Sequence, residues 1–174
     1  MTKKTFFNAV ANGKADILQI FLGILSRTHS DYCVIGGLAV NAYVEPVVSL
    51  DLDIVIALSE LEKVCLAAAK KKFKIEKYEH SIYLTKAGSD LRIQLQTDTR
   101  YQDFILRSKR KDILGYKMKV AALEDVLKGK VWAYCDDKRR RSKRQKDLAD
   151  IIRLIEAYPK LERRIPARMK QLVK

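Results

Sequence analysis

Asp51 and Asp53 stand one residue apart at the head of an apolar run, Asp51-Leu-Asp-Ile-Val-Ile-Ala57, downstream of a glycine pair, Gly36-Gly37, that closes an earlier apolar run beginning at Tyr32. Side chains alternate along a β-strand, so the two aspartates project from one face while Leu52, Ile54 and Ile56 point into a core. Two carboxylates held side by side on a strand are hard-oxygen ligands of the kind Mg²⁺ or Mn²⁺ takes. The plainer alternative makes Asp51 a turn residue and Asp53 a solvated one. The glycines fall where the strand Tyr32–Ile35 should hand over to a short helix, Leu38–Tyr43. A residue without Cβ lets the chain turn sharply and brings amide groups close to an anion, which the start of a helix favours. A glycine pair by itself marks a tight turn; beside Asp-x-Asp it makes a phosphate cradle next to a metal site.

Four segments, Gly36-Gly37-Leu-Ala-Val, Ser49-Leu-Asp51-Leu-Asp53-Ile-Val, Leu123-Glu-Asp-Val-Leu-Lys-Gly-Lys130 and Ser142-Lys-Arg-Gln-Lys-Asp147-Leu-Ala-Asp150-Ile, together resemble the nucleotidyltransferases that share the DNA polymerase β palm, and among them the small AbiEii-type toxins. The resemblance runs over roughly residues 32–157. It implies an α+β fold across 1–174 as a single domain, with a palm part over about 1–120 and a C-terminal helical half over about 121–174. It also implies Mg²⁺- or Mn²⁺-dependent transfer of a nucleoside monophosphate from an NTP to an acceptor hydroxyl, with RNA or tRNA as candidate acceptor and an antitoxin protein as candidate partner. Asp51 and Asp53 would hold the metal, Gly36, Gly37 and Ser49 the phosphates, and Lys130 the triphosphate charge. Asp147 would organise a nearby basic group.

Two-metal phosphoryl transfer calls for three carboxylates to neutralise and bridge the ions. The strand Leu91–Gln96 places Leu91, Ile93 and Leu95 on the core face and Arg92, Gln94 and Gln96 on the other, and by resemblance the third acid falls at Gln94. A glutamine carbonyl coordinates a cation but carries no charge and cannot act as a base, so a site of Asp51, Asp53 and Gln94 should hold one ion better than two. Asp90 and Asp98, on either side of that strand, serve as turn residues or swing in as replacements. An enzyme with relaxed metal demands and a catalytically impaired nucleotide- or RNA-binding module of the same fold both follow.

The charge is asymmetric. Residues 1–108 carry 14 Lys/Arg against 12 Asp/Glu and residues 109–174 carry 21 against 9, so almost all of the net +14 lies in the second part. An oriented field of this kind gathers polyanions and disfavours a cationic acceptor such as an aminoglycoside. The run 138–146 has seven basic residues in nine, and Arg139, Arg140, Arg141, Lys143 and Arg144 are its candidate nucleic-acid contacts. A solvated basic loop is the alternative. Lys130 edges an apolar helical stripe and either snorkels or meets an anion. Gly129 inside that helix suggests a close approach, and Trp132 reads as packing. Asp147 and Asp150 follow Lys143 and Lys146 at helical i,i+4 spacing, so simple ion pairing competes with a site role.

The positioning elements are a helical opening over Thr5–Arg27 broken near Asn12-Gly13, a capping box at Ser59-Glu-Leu-Glu62 starting a helix to about Lys72, strand-like runs at Phe73–Tyr78 and Ser81–Thr85, and late helices at Leu123 to about Asp136 and Ser142–Tyr158, with Ser142 as N-cap. This predicts a mixed sheet of about five strands with helices against one face. A chain of 174 residues suffices for one core. Cys33, Cys65 and Cys135 fit neither a disulfide frame nor a zinc site, and His29 and His80 lack partners for hydrolytic chemistry. No segment reaches the roughly 18 apolar residues of a membrane span and the N-terminus lacks a signal-peptide core, which points to a cytoplasmic protein.

Overall fold

The computed structural model describes residues 2–173. Near the N-terminus, α1 (Lys3–Val10) and α2 (Ile17–Arg27) are separated at Asn12, whose φ of 49° stops the first helix. Asp16 caps α2 by accepting the Gln19 amide at 2.9 Å. β1 (Tyr32–Ile35) runs into a short α3 (Gly36–Val40), and β2 (Asp51–Ile56) follows a loop. Then come α4 (Leu61–Lys70), β3 (Lys74–Lys77), β4 (Ser81–Thr85), β5 (Arg92–Gln96), α5 (Asp103–Leu106), β6 (Lys109–Ile113), β7 (Tyr116–Val120), α6 (Leu123–Cys135) and α7 (Arg141–Ala157).

The sheet has seven strands in the order β3-β4-β5-β2-β1-β7-β6, parallel at β2–β5 and β1–β7 and antiparallel elsewhere. The expected α+β mixed sheet is present, but with two strands beyond the five anticipated. Those two form the β6–β7 hairpin. Its turn is Leu114-Gly115, with φ of 54° and 87°, the left-handed pair that matches strand twist in a two-residue hairpin. Leucine in place of Asn or Asp hides that turn in the sequence. The inward positions Tyr116, Met118 and Val120 are each 1% exposed or less, so the period of two is present on β7.

Two other expectations fail at helix starts. Ser59 lies in a 3-10 turn (Leu58–Glu60) and does not cap α4. Glu60 is drawn away instead, accepting the Asp31 amide at 2.6 Å and the Lys63 ammonium at 3.2 Å. α7 begins at Arg141, before Ser142, and has no side-chain cap.

The core is continuous from α2 (Phe21, Ile24) through the inward residues of β2 (Leu52, Ile54, Ile56) and β5 (Ile93, Leu95) to α7 (Ile151, Leu154). Burying a side chain of this kind stabilises by about 1.5–3 kcal/mol. This apolar face holds β2 in register, which fixes where the alternate residues Asp51 and Asp53 point. Gly129 of α6 is where the rings of Tyr101 and Phe104 approach, since a Cβ there would lie 3.2 Å from Tyr101 and 3.7 Å from Phe104. Trp132 completes this packing, stacked on Phe104 with centroids 5.7 Å apart. No helix among the described residues is long and apolar enough to cross a membrane.

Candidate functional site

In the parallel β2–β5 pair the register sets Asp51 opposite Arg92 and Asp53 opposite Gln94. Residues directly opposite share a face, so this side of the sheet presents an acid beside a base and then an acid beside an amide. The Arg92 Nε and Nη2 both donate to Asp51 Oδ1, at 2.9 and 2.7 Å. The other oxygen, Oδ2, accepts the Lys143 ammonium from α7 at 3.2 Å. Burial alone would raise the Asp51 pKa, but the Arg92 hydrogen bonds and the Lys143 charge outweigh it and hold the carboxyl below its usual range.

Asp53 is different. It forms no ion pair or side-chain hydrogen bond among the described residues. Its pKa is raised, chiefly by burial; Lys130 opposes the rise and the neighbouring Asp51 charge adds to it. Its carboxylate lies against Gly36, whose φ is 68°, and a Cβ at residue 36 would stand 2.9 Å from Asp53 Cβ and Cγ and overlap its Oδ2. Glycine is therefore required there twice over, for the left-handed backbone and for the space. Gly37 is less confined. A Cβ there would be 3.8 Å from Ser49 Oγ and 3.9 Å from Asp150 Oδ2, which also shows how near these two side chains come to the glycine pair. Ser49 Oγ in turn accepts the Asp51 amide at 3.3 Å.

Facing the acids are α6 and α7. Lys130 is only 8% exposed and donates to Asp147 Oδ1 at 3.0 Å and approaches Asp150 Oδ2 at 2.7 Å. Burial would lower its pKa, yet the two carboxylates overcome that and raise it. Asp147, 2% exposed, also accepts Arg139 Nε at 2.7 Å, and Asp150 accepts Arg153 Nη1 at 2.8 Å. Three residues apart on one helix, Asp147 and Asp150 share a face, which lets one lysine reach both.

Two small cavities meet at Asp53, Lys130, Arg139 and Asp147. One, of about 90 Å³, is bounded also by Gly36, Gln94 and Tyr101; the other, of about 70 Å³, by Gly37, Ser49, Asp51 and Lys143. The two acids, the two glycines, Ser49, Gln94, Lys130 and Asp147 thus converge on one locality.

The basic run divides. Arg139 and Lys143 turn into this locality, while Arg144 donates to the Tyr134 carbonyl at 2.7 Å and approaches Asp137 at 3.5 Å. Arg140 and Arg141 are exposed and without acid partners among the described residues. Arg92 and Arg153 are members of the network that the motifs did not single out, and Asp150, weighed as an i,i+4 partner of Lys146, pairs with Lys130 and Arg153 instead. Arg92 was open to inference, because it precedes Gln94 by the same two residues that separate Asp51 from Asp53.

No family model matches the chain and no curated protein matches it. Solved structures do. The antibiotic-resistance factor ANT(2'')-Ia aligns with a TM-score of 0.58 at 11% identity over 90% of this chain and 86% of that one. The lincosamide antibiotic adenylyltransferase LnuA, in its lincomycin-bound form, aligns at 0.56 and 12% over 80% and 96%. An antigenic nucleotidyltransferase-like protein from Paracoccidioides brasiliensis aligns at 0.53 and 20% over 86% and 75%. At these identities the likeness is one of fold, and the fold is nucleotidyltransferase-like.

Proposed function

We propose that the chain is a metal-dependent nucleotidyltransferase that joins the α-phosphorus of an NTP to an acceptor hydroxyl oxygen and releases pyrophosphate and a proton. The observation that carries this reading is the unpartnered Asp53 carboxylate, pressed against the Gly36 backbone between two cavities that share Lys130 and Arg139. A half-buried acid left without a cation costs stability, and a divalent ion held there would offset its charge.

The donors fit one ion. Asp53 offers two uncommitted oxygens and Gln94 a carbonyl on the same face, whereas both Asp51 oxygens are engaged by Arg92 and Lys143. Bound there, Mg²⁺ or Mn²⁺ would act as a Lewis acid on the phosphates. The chain's own groups do the rest. Gly36 and Gly37 admit phosphate oxygens close to the backbone, with the Ser49 hydroxyl beside them. Lys143 and Arg139 line the cavities and would turn from their Asp51 and Asp147 partners toward triphosphate charge, while Lys130, held by Asp147 and Asp150, orders that wall of the site. Asp51, clamped by Arg92, keeps Lys143 at the edge of the cavity. Within the superfamily the glycine and aspartate motifs keep the AbiEii-type toxins, with an antitoxin partner, as the branch proposed.

The test is incubation with each labelled NTP, Mg²⁺ or Mn²⁺ and total RNA, alongside Asp53→Asn. Label transfer by the parent and not by the variant supports the reading; absence of nucleotide binding by the parent overturns it. A second reading, a nucleotide- or RNA-binding module without turnover, is favoured by the uncharged Gln94 opposite Asp53, and binding without transfer selects it.

A further inference from the structure

The β6–β7 hairpin places Arg110 directly opposite Lys119. Like charges at facing positions of an antiparallel pair destabilise it, and only one of the two is relieved, by Asp31 at 3.1 Å from the Lys119 ammonium. Lys117 projects from the same face. Its facing residue, Asp112, does not form an ion pair with it but accepts the Gly115 amide in the turn at 2.9 Å. Protection of a sheet edge explains charges on β6, the outermost strand. It does not explain Lys117 and Lys119, because β7 lies inside the sheet between β1 and β6.

A cleft of about 800 Å³ is lined by Arg110, Lys117 and Lys119 of the hairpin, by Lys4 and His29, and by Gln19 and Ser26 of α2. Two of the lysines are held in place by aromatic rings: Lys4 lies 4.6 Å from the Tyr116 centroid and donates to Gln19 at 3.1 Å, and Lys119 lies 5.9 Å from the Tyr32 centroid. Ser26 and Ser30 add hydroxyls to the wall. A cleft lined by five basic side chains, two of them fixed, with Asp31 as the acid in its lining, fits a chain of phosphates.

We propose that this cleft binds the phosphate backbone of an RNA strand. The purpose of the binding, presenting an acceptor to the Asp53 site, rests on the nucleotidyltransferase reading; the binding itself does not. It also relocates the nucleic-acid surface away from residues 139–144, where Arg139, Lys143 and Arg144 are already engaged within the protein.

The experiment is fluorescence anisotropy of a labelled RNA oligonucleotide over a range of KCl, with labelled NTP binding measured on the same samples. Arg110→Glu/Lys117→Glu should weaken RNA binding about tenfold or more and lower the salt slope by about 1.4, about 0.7 for each phosphate no longer neutralised. Arg110→Gln/Lys117→Gln should fall between that variant and the parent, and Arg140→Glu/Arg141→Glu should cost less than the hairpin reversal. Unchanged RNA affinity in the hairpin variants, with the parent's thermal midpoint, overturns the proposal. So does an absence of RNA binding by the parent, or binding of an acidic peptide or anionic vesicle that RNA does not displace. Retained RNA binding with no NTP binding leaves this proposal standing and removes the nucleotidyltransferase reading; NTP binding without RNA binding does the reverse.

Discussion

Asp53 faces Gln94 across the parallel β2–β5 pair, an unpartnered carboxylate beside a neutral amide. Gln94→Asp would set two like charges side by side. Without a cation the variant should be less stable than the parent, and Mn²⁺ affinity should rise about tenfold, the equivalent of about 1.4 kcal/mol. Mn²⁺ titration followed by electron paramagnetic resonance measures this, and unchanged affinity would sink the one-ion assignment.

The two glycines should respond differently to the same substitution. Gly36→Ala combines a left-handed backbone with overlap on Asp53 and is expected to cost about 2–4 kcal/mol, a fall in Tm on the order of 5–10 °C. Gly37→Ala meets nothing nearer than 3.8 Å and should leave Tm close to that of the parent. Equal effects in thermal denaturation would contradict the placement of Asp53 over residue 36.

Asp51 and Asp53 should contribute to the pH dependence of stability with opposite sign. The Asp51 carboxyl is held below its ordinary 3.8, so its contribution is present above that value and is lost as pH falls through the lower, folded one. The Asp53 carboxyl is raised above 3.8, so the folded state binds the proton more tightly and its ionisation removes stability as pH climbs from there. In metal-free protein at neutral pH, Asp53→Asn is therefore expected to raise Tm and Asp51→Asn to lower it. Both differences should shrink on acidification, and like signs at neutral pH would refute the assignment.

Lys130 joins Asp147 and Asp150 in the interior. Lys130→Ala leaves the buried Asp147 and the partly buried Asp150 with only Arg139 and Arg153 as partners and should cost about 3–5 kcal/mol in urea denaturation at neutral pH. Its pKa is raised from 10.5, so the stability it confers is complete below that value and lost only as pH rises through the higher one. A loss under 1 kcal/mol, on the order of that for an exposed pair, would show that the lysine is solvated.

The part of the site carried by strand alternation was legible in the sequence. Period two sets Asp51 and Asp53 on one face and Arg92, Gln94 and Gln96 on another strand's matching face; the sequence does not state the register that pairs them. The late helices were visible as periodic segments, but the basic run suggested a solvent-facing surface. Its inward turn depends on a tertiary fact, that Asp51 and Asp147 lie within reach of Lys143 and Arg139. The hairpin is masked in the sequence because Leu114 occupies a turn position usually taken by Asn or Asp and because lysine and arginine fill the outward positions. Ser59 and Ser142 carried capping signals that lost to other partners or to a helix beginning earlier.

The bond between Asp51 and Lys143 also bears on how the protein comes into being on the ribosome. The sheet centre, from residue 32 to residue 96, emerges long before the helix that supplies Lys143, Asp147 and Asp150. Synthesis delivers the N-terminal side first, so nascent chains ending before residue 143 carry Asp51 with its Arg92 partner but without its second, Lys143. Products terminated before α7 contain every strand of the sheet yet lack Lys143, Asp147 and Asp150, so the charged locality around Asp53 is completed only in the last stretch of translation.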